Sequence, residues 1–116
     1  MNSDEYKVLI KSKDVLDRGT LNVTIEELDR VGEIRLINEI DRIIAENKIE
    51  KPTVHNKQED LSNEHYKIDL ATNDIDFIVS MFGNREVDSL GPNYESTRAA
   101  SLYATMLDNW NRMLLD

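Results

Sequence analysis

Between Thr24 and Asn47 apolar residues recur at helical spacing, and this run limits the chain to folds built around a long amphipathic helix. Its start is signalled by Thr24 with Glu27 three residues later, the pattern of a capping box, and by Val23 and Leu28 as a hydrophobic staple. On a helical wheel Ile25, Leu28 and Val31 form one apolar arc. Leu36, Ile37, Ile40, Ile43 and Ile44 form another, rotated by roughly a quarter turn. Gly32 lies between the arcs, and a glycine in a helix interior costs about 0.5–1 kcal/mol relative to alanine. A kink or short break at Gly32 competes with a continuous helix. In both cases apolar groups cover much of the circumference, which suits contact with the rest of its own domain and with a second subunit.

The 116 residues suffice for one helical domain with a single core. With no cysteine, the chain has no disulfide framework, thiolate metal site or thiol nucleophile. The polar, acidic start Met1-Asn2-Ser3-Asp4-Glu5 has no basic and apolar leader pattern, and no apolar run approaches the roughly 20 residues that span a bilayer. A cytoplasmic location is the expectation. The formal charge is −9, from 23 acids and 14 bases. A field of that sign repels phosphate backbones and anionic membranes and favours basic partners, so neither nucleic acid nor membrane is an expected partner. The excess lies mid-chain: residues 24–47 hold seven acids against three bases, and residues 48–76 seven against four.

Residues 3–18 support two readings. Ser3 as a cap, with Tyr6, Leu9, Ile10 and Leu16 on one face and Gly19 as the terminator, predicts a helix. Alternation of Tyr6, Val8 and Ile10 with lysines predicts a strand. Tyr66, Ile68 and Leu70 alternate too, and a lone strand needs a partner, so a ribbon of Tyr6–Ile10 with Tyr66–Leu70 is the alternative. Lys48 to Asn63, charged and poor in apolar residues, reads as a polar loop or mobile segment. Thr72, Asn73 and Asp74 offer capping oxygens to a short greasy helix that stops at Gly83-Asn84. After a break at Gly91-Pro92, a last helix from Asn93 to Leu115 places Ala99, Leu102, Tyr103, Met106, Leu107, Trp110, Met113 and Leu114 on one arc. The fold class is therefore mainly α, a three- to four-helix bundle with room for a short two-stranded β element.

The familiar constellations of catalysis are incomplete. The four glycines are scattered, so no phosphate loop forms, and no serine sits in a Gly-x-Ser-x-Gly elbow. His55 and His65 are the only histidines and are ten residues apart. The Glu-x-x-His pairs of di-iron bundles are absent. Glu26-x-x-Asp29 resembles one of the two magnesium-holding acidic pairs of all-α nucleotide pyrophosphatases, and the second pair is missing. Asp69, Asp74 and Asp76 lack the glycine and terminal glutamate of a calcium loop. The helical pair around Gly32 resembles a helix-turn-helix, but its second helix would carry Glu33, Glu39, Asp41 and Glu46 towards phosphate.

These residues predict no cofactor, no metal and no catalysis. The expected function is recognition of a basic protein partner by an acidic, inhibitor- or immunity-type domain, through Glu59, Asp60, Glu64, Asp69, Asp74 and Asp76. The alternative is an assembly protein forming a homodimer through apolar helix faces. A magnesium-dependent hydrolase ranks third.

Overall fold

The computed structural model describes residues 3–50, 64–93 and 97–114, and it divides between Asp69 and Leu70 into two compact units. The chain is mainly helical, with one two-stranded antiparallel sheet. The first unit contains α1 (Ser3–Leu9), β1 (Val15–Asp17), α2 (Arg18–Val31), α3 (Ile34–Glu46) and β2 (His65–Lys67). The second contains α4 (Thr72–Asp88), α5 (Arg98–Asn111) and a closing 3-10 turn, Arg112–Leu114.

The central run is two helices. Gly32 adopts the left-handed conformation at φ 79° and ψ 22°, and its N–H donates to the Asp29 carbonyl. The Glu33 N–H reaches back to the Leu28 carbonyl at 2.9 Å, completing the paired bonds of a Schellman cap. The first helix also starts earlier than its capping-box signal at Thr24. Asp17, delivered by the end of β1, is the cap: its carboxylate accepts from the Thr20 N–H at 3.2 Å and from the Thr20 hydroxyl at 2.6 Å. Thr24 is instead mid-helix and fully buried, its hydroxyl donating to the Thr20 carbonyl. Glu27 is buried as well, with Arg30 Nε 3.5 Å from its carboxylate. Thr20, Leu21, Thr24 and Leu28 thus carry the buried stripe back ahead of Thr24. Ile25 is half-buried and Val31 is exposed, so the inward arc of α2 is turned away from the purely apolar one. Gly19 terminates nothing; it lies in the first turn of α2, where a Cβ would come within 3.0 Å of the Asp17 carboxylate.

The ribbon exists, with a different first strand and a second strand that covers His65–Lys67 rather than Tyr66–Leu70. Tyr6 to Leu9 are helical, and β2 pairs with β1 in the register Val15 to Lys67, Leu16 to Tyr66 and Asp17 to His65. Val15 and Leu16 are both buried, so this three-residue strand has no alternation to reveal it. Along its other side β2 bridges to Lys48, with Ile49 N–H donating to the His65 carbonyl and Lys67 N–H to the Asn47 carbonyl. Tyr6 and Leu9 of α1, with Ile10 just after it, pack against Val15 and Ile49 in a small satellite core.

In the second unit α4 and α5 pack as a hairpin. Helix α4 does not stop at Gly83 but runs five residues further, to Asp88. Gly83 faces α5, where a Cβ would stand 3.4 Å from Leu107 Cδ1, at the edge of ordinary contact. The cap of α4 is Ala71, without a side-chain bond, rather than Thr72, Asn73 or Asp74. Helix α5 begins later than Asn93, at Arg98. Thr97 caps it, accepting from Ala100 N–H at 3.0 Å while its hydroxyl donates to the Ser89 carbonyl. Its inward face is also rotated from the expected arc: Ala100, Met106 and Trp110 are buried, whereas Ala99 and Leu102 are exposed. Tyr103 stacks on Phe82 at 6.2 Å between ring centroids, and Arg85 lies over the Tyr103 ring while donating to its hydroxyl. Among the described residues no helix is long and apolar enough to cross a membrane.

Candidate functional site

The six acids singled out in the sequence occupy different environments. Glu59 and Asp60 lie outside the described residues, as does His55. Asp74, half-buried, and Asp76, exposed, stand in the first two turns of α4. Their positive helix end favours carboxylates there.

Glu64 and Asp69 flank β2, and the structure gives each a cationic neighbour. Glu64, its side chain only 13% exposed, receives Lys48 Nζ at 2.9 Å on one oxygen and the Tyr66 hydroxyl at 2.7 Å on the other. Arg18 Nη1 is 3.9 Å from the same carboxylate and donates to the Tyr66 hydroxyl at 3.2 Å. Two cations therefore converge on one anion. Burial pushes the Tyr66 hydroxyl above its ordinary pKa, and its bond to Glu64 pushes the same way; Tyr6 is raised by burial and by the charge of Glu64. Glu64 locks the base of the ribbon to the start of α2, where the Arg18 N–H also donates to the Glu64 carbonyl.

The balance around Asp69 is the reverse. Its two oxygens take a bidentate pair of bonds from Arg42, at 2.7 and 3.2 Å. The same guanidinium donates from Nε to Glu39 at 2.8 Å and stands 3.8 Å from Glu46. Three carboxylates share one cation, and all four side chains are between 35% and 64% exposed. Hydrogen bonding to Arg42, with a contribution from Asn47, holds the Asp69 carboxyl below the usual carboxylate range, and the bonds to Asp69 and Glu39 raise the already high pKa of Arg42. The residual charge of the cluster is two negative units at neutral pH. Glu39 and Glu46 carry a readable signal, since Glu39, Arg42 and Glu46 are spaced i, i+3 and i+7 on one face of α3. Asp69 joins them from 27 residues away, which no local spacing reveals.

His65 sits edge-on to Tyr6, with ring centroids 6.4 Å apart, and so contributes to the satellite core. Glu26 and Asp29 are exposed on α2. Among the described residues, no group of three or more His, Asp or Glu side chains gathers in a way that could hold a metal ion. Comparison with protein-family models, curated proteins and solved structures returns no match for the chain.

Proposed function

We propose that this chain is a non-catalytic recognition domain that binds a cationic protein and neutralises it, in the manner of an inhibitor or immunity protein. The observation that carries the reading is the cluster of Glu39, Glu46 and Asp69 around Arg42. Its single cation gathers the carboxylates without balancing them, leaving an exposed negative patch on a chain of net charge −9. Such a patch attracts cations over about a Debye length, steers their approach and rejects anionic competitors. Glu59 and Asp60 add to the net negative charge of the chain, and Asp74 and Asp76 place further carboxylates at the start of α4, while Glu64 is engaged in holding the fold.

The test uses the full chain, tagged and passed through a lysate of its native host, followed by titration of each retained protein after purification. The reading requires a basic partner whose affinity falls steeply between about 0.05 and 0.5 M salt and drops at least tenfold when Glu46 and Asp60 are both replaced by lysine. Affinity indifferent to salt and to those reversals would count against it. The homodimer reading has its own support in Val31 and Ile34, 42% and 59% exposed beside the Gly32 break. Sedimentation over a hundredfold dilution separates the two: a dimer that survives dilution favours assembly, and a monomer favours the separate partner.

A further inference from the structure

We draw no further inference here: the strongest candidate, the exposed apolar patch of Val31 and Ile34 at the turn between α2 and α3, has Asp29 and Glu33 against Arg30 and Arg35 in the same stretch, so no charge selects an occupant, and nothing among the described residues shows what covers it.

Discussion

Replacing Gly32 by alanine isolates the conformational reason for the break between α2 and α3. Gly32 is the one described glycine with positive φ, and a Cβ built on it meets no atom within 4 Å. Crowding by neighbours therefore contributes nothing, and the effect of Gly32→Ala is the strain of holding an L-residue in the left-handed region, roughly 1–2 kcal/mol. Lower freedom of alanine in the unfolded chain returns about 0.4–1 kcal/mol. The difference is a net loss of about 1 kcal/mol. Asparagine, which enters this region more easily, should lose less. With a urea dependence of about 2 kcal/mol/M, the midpoint of Gly32→Ala should fall by roughly 0.5 M. Far-UV circular dichroism is the suitable probe, because Trp110, the single tryptophan, belongs to the other unit. A midpoint that stays or rises, with increased helical signal, would refute the reasoning and mean that one continuous helix replaces the capped pair.

Three further outcomes follow from the described contacts. Glu64→Ala leaves Lys48 and Arg18 facing each other beside Tyr66, and should cost about 1–3 kcal/mol in urea unfolding; a loss under about 0.5 kcal/mol would show that the lock is ornamental. Gly83→Ala places its methyl at ordinary contact distance from the half-buried Leu107 and gains helix propensity, so it should stabilise the protein by roughly 0.5–1 kcal/mol, whereas a clear loss of melting temperature would mean that the hairpin cannot absorb a methyl group. The Asp69 carboxyl, depressed by Arg42, should titrate below an ordinary aspartate when followed by carboxyl-carbon NMR, and should return upward in Arg42→Ala. Because its folded pKa is lower than the unfolded one, the pair's contribution is present above the unfolded value near 4 and disappears as pH falls through the folded value; an unshifted midpoint contradicts the bidentate bond.

The mainly helical fold was legible because long stretches carry a helical period, and the place of the central break was legible because Gly32 offered the one conformation that ends α2 with both cap bonds made. Helix limits were less so. Thr24 and Glu27 imitate a capping box, yet burial of Thr20, Leu21 and Thr24 extends the helix back to a cap supplied by Asp17, a residue whose position depends on a strand too short to show a period. Gly83 looks like a stop when α4 is read alone; the helix runs on through it to Asp88 because it packs along α5, and that neighbour is invisible to local pattern. The acidic candidates show the same limit. Mid-chain charge excess was countable, but whether an acid ends in a surplus or is outnumbered by cations depends on contacts between distant segments, as Asp69 with Arg42 and Glu64 with Arg18 demonstrate.

Strand β2 has a neighbour along each side, β1 on one and residues 47–49 on the other, although it is only three residues long. An interior strand of that length offers no row of idle amides for an incoming chain to copy, so it cannot act as a template for fibre growth or strand donation. Strand addition on this ribbon is left to the outer edges of β1 and of residues 47–49, each only about three residues long, so an incoming chain would find few backbone groups to pair with on either side.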